Sequence, residues 1–149
     1  MARAPIYIAS DHAGFERKAK LASKLKAAGY DVVDLGPTAL NPDDDYPEFA
    51  ARLARRVSQE GGHGILLCGN GQGICIAANK ITGIRAVSAY TPEQAQTTRT
   101  DDDANILCLP GRFQTDQEVW SVVEAWLSTS FSQAERHLRR IREISQLEQ

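Results

Sequence analysis

With 149 residues, 42% of them hydrophobic and 24% charged, the chain is long enough to bury one good core and reads as a single domain over residues 1–149. A net charge of −2 offers no basic field, which argues against nucleic acid as a partner and leaves any anionic ligand to be held by local groups. Three cysteines without short metal-type spacing predict neither a disulfide framework nor structural zinc and fit a reducing cytoplasm, and no run approaches the roughly 18 apolar residues of a membrane span or the apolar core of a signal peptide.

In chain order, residues 5–10 predict a first strand, and Asp11, His12, Ala13 and Gly14 the turn that leaves it. Residues 15–28 predict a helix, with Phe15, Ala19, Ala22 and Leu25 near helical spacing and Gly29 as the stop. Residues 31–36 predict a second strand, followed by a polar loop that carries Asp43, Asp44, Asp45 and Tyr46. Residues 48–60 return to helix, with Phe49, Leu53 and Val57 on one stripe. Ile65, Leu66 and Leu67 form a wholly apolar run bounded by glycines, which predicts a strand buried on both faces; residues 74–80 predict a helical piece ended by Gly83. Residues 84–90 predict a fourth strand, after which Thr91 can cap a helix that has Pro92 at its first position and frays near Asp101, Asp102 and Asp103. Residues 105–109 predict a fifth strand, and Thr115 opens a helix whose Val119, Val122, Val123, Trp126 and Leu127 make an apolar face; its two tryptophans are expected in the core.

Between the third strand and its helix, glycines at 69, 71 and 73 let the backbone turn tightly and bring its N–H groups close to a ligand, forming an anion nest. Cys68 ends the strand beside the positive end of the coming helix, a place that favours a thiolate. Taken alone, the same features describe a buried thiol above a tight turn. Ile74 stands where the dinucleotide fingerprint needs a third glycine, and no P-loop lysine follows. The alternation of strands and helices predicts an α/β fold: a three-layer, doubly wound, five-stranded parallel sheet of Rossmann or flavodoxin-like form. If the strand order is the common 2-1-3-4-5, the ligand crevice lies between strands one and three, where the turn at residues 11–14 and the loop at residues 68–73 meet.

At the C-terminus, Ser132 and Glu135 have capping-box spacing, so a helix is expected to start there and run nearly to the end. Arg136 and Arg140 share one face, with His137 and Arg139 nearby, and two guanidiniums a turn apart can chelate a phosphate. A solvated basic face balanced by Glu135 and Glu143 explains the same pattern. The narrow apolar stripe of Ala134, Leu138 and Ile141 suits packing on a second subunit.

Together these motifs resemble the B-type ribose-5-phosphate isomerases, the family that also holds the galactose-6-phosphate isomerase subunits. The resemblance is carried by Asp11-His-Ala-Gly14, Asp45-Tyr-Pro47, Cys68-Gly-Asn-Gly-Gln-Gly73, Ala77-Ala-Asn-Lys80, Gly83-Ile-Arg-Ala86, Asp103-Ala-Asn-Ile-Leu107 and Gly111-Arg112, in order along essentially the whole chain. It implies a cofactor-free and metal-free aldose–ketose isomerase of a phosphorylated sugar, working through a 1,2-enediolate. The implied assembly is a homodimer with shared active sites, or a tetramer built from such dimers. By the same resemblance Cys68 is the general base, and main-chain N–H groups of Gly69, Asn70, Gly71, Gln72, Gly73 and Ile74 form the anion hole. His12, Arg112, Arg136 and Arg140 bind the phosphate, while Asp11, Asp45 and Tyr46 hold sugar hydroxyls or orient neighbours. Relatives that lack the Cys use a Glu where Ile74 stands here, so this chain falls with the Cys type.

Two departures stand out. Asn70 occupies a place usually held by Thr or Ser, and its amide can donate a hydrogen bond to a sugar oxygen but cannot relay a proton as a hydroxyl can. Asp101 and Asp102 stand where the family usually has His-Asn, residues credited with opening the furanose ring and holding the anionic intermediate. A carboxylate at 101 can serve as ring-opening acid or base beside Asp102 and Asp103. Otherwise the chain has lost ring opening or acts on another sugar phosphate, a hexose 6-phosphate or a tetrose phosphate. A non-catalytic sugar-phosphate binding module is the alternative from another class.

Overall fold

The computed structural model describes residues 3–148. Five strands, β1 (Ile6–Ser10), β2 (Val32–Asp34), β3 (His63–Cys68), β4 (Ala86–Ser88) and β5 (Ile106–Pro110), form one parallel sheet. The helices are α1 (Phe15–Ala27), α2 (Tyr46–Glu60), α3 (Gly73–Ala78), α4 (Pro92–Thr100), α5 (Asp116–Ser128) and α6 (Glu135–Gln146). Strand alternation sends Ile6, Ile8, Ile65, Leu67, Leu107 and Leu109 to one face, where they pack on Leu21 and Leu25 of α1, Ala95 of α4, and Val119, Val122 and Trp126 of α5. Tyr7, Ala9, Leu66, Cys68 and Cys108 point the other way, onto Phe49 and Leu53 of α2 and Ile74 of α3. The fold is therefore the expected three-layer, doubly wound parallel sheet; Trp126 is core as expected, whereas Trp120 is only half-buried and packs against the edge of that cluster.

The strand order is β2-β1-β3-β5-β4, which corrects the 2-1-3-4-5 order considered from the sequence. Burial explains the exchange. All five residues of β5 are buried, whereas β4 has three residues of which two are only half-buried. In a parallel sheet the continuously apolar strand belongs inside, and a short, partly wetted strand belongs at an edge; β2, also three residues long, takes the other edge. The exchange positions the site: Cys68 is in register with Pro110, Gly111 N donates to Cys68 O at 2.7 Å, and Arg112 N donates to Gly69 O at 3.2 Å. The arginine after β5 is thereby brought beside the Cys68 loop.

The C-terminal helix also departs from expectation. Ser132 and Glu135 do not form a capping box, because Gln133 between them is left-handed, with φ 59°, and breaks the helical phase. Ser132 Oγ instead accepts from Ala134 N at 3.3 Å, and α6 begins at Glu135. A reciprocal capping box does open α5, where Glu118 N donates to Thr115 Oγ1 at 3.1 Å and Thr115 N donates to Glu118 Oε2 at 2.9 Å.

Helix α6 lies at the pole where the strands begin. His137 Nε2 is 3.5 Å from Asp101 Oδ1, just ahead of β5, and Gly83 N, just ahead of β4, donates to the Glu148 carboxylate at 3.1 Å. The residues on α6 are thus at the opposite end of the sheet from the loops that leave the strands.

Candidate active site

The C-terminal ends of β1, β3 and β5 enclose a cleft of about 450 Å³, lined by Asp11, His12, Ala13, Tyr46, Cys68, Gly69, Asn70, Gly73, Arg112 and Phe113. This is the crevice expected between the first and third strands. Cys68 ends β3 at its floor, and its S–H points to Asn70 Oδ1 at 3.8 Å. The same Asn70 oxygen accepts from Gln72 N at 2.9 Å, closing a turn inside the loop. With its oxygen so engaged, Asn70 has its NH₂ as the end available to a ligand. Gly71 takes φ 76°, and a Cβ there would meet the Leu109 and Pro110 backbone at 2.9–3.0 Å, so residue 71 must be glycine on both counts. At Gly73 a Cβ would stand 2.6 Å from Tyr46 Cζ; without one, the phenol packs directly on the start of α3. Among the described residues no side chain caps α3, which leaves its first amides free of side-chain partners there.

His12 faces the cleft from the turn after β1. Its Nδ1 is 2.8 Å from Asp44 Oδ1, and its backbone N–H donates to the same oxygen at 2.9 Å. The Asp44 side chain is only 5% exposed. Hydrogen bonding to this buried carboxylate raises the His12 pKa above the ordinary imidazole value, opposed by partial desolvation and helped by the charge of Asp11. Asp11 is itself buried, and its Oδ1 accepts from Gly14 N at 3.2 Å, fixing the turn that presents His12. Asp11, His12 and Asp44 offer ligand atoms within 4.8 Å of one another, the single such group among the described residues. With Nδ1 held by Asp44, the ring is fixed in orientation and its protonated form is favoured, which suits an anion.

A pH prediction follows with its sign. Because the His12 pKa is raised, the imidazolium and its attraction for a phosphate are complete below the ordinary histidine pKa and are lost as pH rises through the raised one. Asp44→Asn is expected to move that loss to lower pH, raising KM for a phosphorylated substrate near pH 7.5 by roughly three- to tenfold with kcat little changed. Kinetics of the two proteins across pH check this, and superimposed KM profiles would remove Asp44 from the site.

Arg112 completes the cationic side of the cleft, its Nη1 within 3.1 Å of where a Cβ of residue 69 would stand. Among the described residues neither Arg112, Arg136 nor Arg140 pairs with a carboxylate; Glu135 is taken by Arg142 at 3.0 Å. Arg136 and Arg140 lie on α6, with Asp101 and Asp102 at the end of α4 beside it, so all four stand at the pole away from this chain's own cleft. Of the three successive aspartates, Asp103 is structural, bonded by Arg99 Nη1 at 2.9 Å and taking φ 46°. Asp102 is exposed, and partial desolvation, followed by the charge of Asp101, raises its pKa.

The model of the Ribose/Galactose Isomerase family matches residues 6–144. The chain belongs to this family.

Among solved structures, the family member is similar to ribose-5-phosphate isomerase B from Mycoplasma genitalium with bound ribulose 5-phosphate. The TM-score is 0.94 and the identity 41%, over 99% of this chain and 98% of that one. The corresponding Thermotoga maritima structure gives 0.91 at 42% identity, over 96% and 98%. The ribose-5-phosphate isomerase B of Mycolicibacterium paratuberculosis is 39% identical over 144 residues, covering 96% of this chain and 91% of its own.

In this ribose/galactose isomerase the cleft gathers Asp11, His12, Tyr46, Cys68, Gly69, Asn70, Gly73 and Arg112 of the residues expected from the sequence. Asp45 is the exposed N-cap of α2 and does not line it; its neighbour Asp44 turns inward instead. Three adjacent aspartates on one polar loop gave no signal for which would do so. Gln72 is engaged elsewhere, its N–H by Asn70, its Nε2 by Tyr90 OH at 2.9 Å and its Oε1 by Ser88 Oγ at 3.1 Å. The Ile74 side chain is fully buried, so only its main chain is available to a ligand. Cys75 and Cys108 pack together in the core beneath the cleft, Cys108 holding the Cys75 pKa down to about 7.

Proposed function

We propose that this chain interconverts D-ribose 5-phosphate and D-ribulose 5-phosphate through a 1,2-enediolate, with Cys68 as general base. The observation that carries the proposal is a thiol on the floor of a cleft whose other walls are a carboxylate-bound histidine, a guanidinium and a loop of amides. It is supported by the Mycoplasma genitalium relative that holds ribulose 5-phosphate in the same fold. The Cys68 thiolate takes the proton from C2 of the open-chain aldose, and the electron pair moves through C1 to O1. The charge on O1 and O2 is held by the amides of Gly69, Gly71, Gly73 and Ile74, with Asn70 donating from its NH₂. Loss of the O2 proton, gain of a proton at O1 and return of the carbon-bound proton to C1 give the ketose, so that one proton moves from C2 to C1 and one from O2 to O1. The transfer is redox-neutral and needs no cofactor. His12 and Arg112 hold the phosphate, and Asp11 and Tyr46 fix the sugar end of the cleft.

Arg136, Arg140, Asp101 and Asp102 reach the cleft of a second copy, so that each site is built from two chains. Support comes from the cleft rim, where Phe113 is 81% exposed, and from the neighbouring α3, where Ile76 is 64% exposed. Arg136 and Arg140 on α6, without a carboxylate partner among the described residues, form a matching patch for a phosphate already half-held by His12 and Arg112. No helix among the described residues is long and apolar enough to cross a membrane, and three free thiols suit a reducing cytoplasm.

Turnover of ribose 5-phosphate by the purified protein in chelator tests the assignment. We expect its kcat/KM to exceed those for a hexose 6-phosphate and a tetrose 4-phosphate by at least about tenfold. A higher value for either competitor reassigns the substrate. Absence of turnover on all three, with phosphate still protecting the protein from unfolding, makes the chain a binding module.

A further inference from the structure

The loop after β3 holds an amide that the fold itself leaves open. Gly71 is buried, and among the described residues its N–H has no acceptor. Groups on either side of it are engaged: Gly69 O accepts from Arg112 N at 3.2 Å, Gln72 N donates to Asn70 Oδ1 at 2.9 Å, and Gln72 O accepts from Ile76 N at 2.9 Å. A buried donor left open in a loop of alternate glycines is a place for a ligand's oxygen. Its direction is not set by its own residue. Gly71 lies at φ 76°, and glycine takes either sign of φ at little cost, so the peptide between Asn70 and Gly71 can turn over unless something holds it.

Tyr90, two residues beyond β4, holds it. Ser88 Oγ lies 3.1 Å from Gln72 Oε1, which fixes the Gln72 amide with its nitrogen toward Tyr90. Gln72 Nε2 donates to the Tyr90 hydroxyl oxygen at 2.9 Å, and the hydroxyl proton is left to donate to Asn70 O at 3.4 Å. Among the described residues no other group donates to that carbonyl. A trans peptide points its C=O and the following N–H in opposite directions. With Asn70 O tied toward β4, at one edge of the sheet, the Gly71 N–H turns to the other side of the loop, where β1 and the cleft lie.

We propose that Tyr90 is a positioning residue for the anion hole: by holding the Asn70 carbonyl it aims the Gly71 amide at an enediolate oxygen. This rests on the isomerase reading above. Tyr90 touches no reacting atom and does not line the cleft. Its main chain is fixed separately, since Tyr90 N donates to Gln94 Oε1 at 2.8 Å and Tyr90 O accepts from Gln114 Nε2 at 3.0 Å. The second bond reaches the loop that carries Arg112, so removal of the hydroxyl alone leaves the phosphate side of the cleft tied as before. Tyr90 is 43% exposed, and Tyr90→Phe keeps the ring and leaves the core untouched.

The test compares wild type with Tyr90→Phe in three measurements. They are kcat for ribose 5-phosphate, the Kd of inorganic phosphate, and the Kd of 4-phospho-D-erythronohydroxamate, whose hydroxamate oxygens copy O1 and O2 of the enediolate. Loss of a whole anion-hole donor costs about a hundredfold or more in kcat, and a donor that remains but is no longer aimed costs less. Tyr90→Phe is therefore expected to lower kcat about tenfold and to weaken the hydroxamate about tenfold, with phosphate binding within about twofold of wild type. Unchanged kcat, a slower enzyme with unchanged hydroxamate affinity, or equal weakening of hydroxamate and phosphate overturns the role; the last makes Tyr90 a support of the whole cleft. A wild type that neither turns over the sugar nor binds the hydroxamate more tightly than phosphate refutes the isomerase reading itself.

Discussion

Cys68→Ala is expected to lower kcat for ribose 5-phosphate by at least about a thousandfold, with KM changed by no more than a few-fold. The reasoning is positional. Cys68 is the last residue of a strand buried on both faces, its S–H is aimed at Asn70, and His12 and Arg112, the groups proposed to hold the phosphate, sit on other loops. Removing the sulfur takes away the group that moves the proton and leaves the groups that hold the phosphate. Cys68→Ser is expected to fall nearly as far, since a hydroxyl is a far weaker base than a thiolate at neutral pH although it fills almost the same space. Both variants should still be stabilised against thermal unfolding by substrate or phosphate, to an extent set by ligand concentration over Kd. Steady-state kinetics beside thermal melts separate the cases: retained activity would move the base elsewhere, and lost protection would make Cys68 a packing residue whose removal collapses the cleft.

Much of this site could be read from the chain because its signals are local. Ile65, Leu66 and Leu67 between glycines announce a buried strand, and alternate glycines after Cys68 announce a tight turn, without knowledge of anything distant. What was not legible depends on comparisons between distant segments. Whether β4 or β5 sits beside β3 is decided by which run is apolar enough to be covered on both faces, and both contain short hydrophobic stretches. Ser132 and Glu135 have capping-box spacing, but the left-handed Gln133 between them is set by how residues 129–134 run past α4, where Ser132 N donates to Thr100 O at 3.2 Å. Asp44 could be told from Asp43 and Asp45 only once the turn after β1 placed His12 against it. His137 looks, along the sequence, like one more member of a basic face until the end of α4 is folded beside it.

Mixing two impaired variants is expected to restore activity at low substrate concentration, and this follows from where Arg136 and Arg140 lie. Arg136→Ala with Arg140→Ala removes two guanidiniums from α6, which crosses the pole opposite the chain's own cleft. Each charge-assisted contact to a phosphate contributes about 1.5–3 kcal/mol, so the double variant should lose roughly a hundredfold or more in kcat/KM, mainly through KM. In a symmetric dimer the same patch serves both copies, and each site takes its cleft from one chain and its α6 from the other. A heterodimer of Cys68→Ala with the arginine double variant then contains one site carrying both defects and one carrying neither. Random reassortment makes half the dimers mixed, each with one intact site of two, so about a quarter of wild-type activity should return. The mixture is prepared by co-expression or by refolding the two chains together, and its activity is compared with that of each variant alone. A site confined to one chain predicts no recovery at any mixing ratio, because every chain then carries a defect in its own site. Recovery near a quarter would assign Arg136 and Arg140 to the partner's phosphate and explain why, among the described residues, these two arginines of α6 have no carboxylate partner.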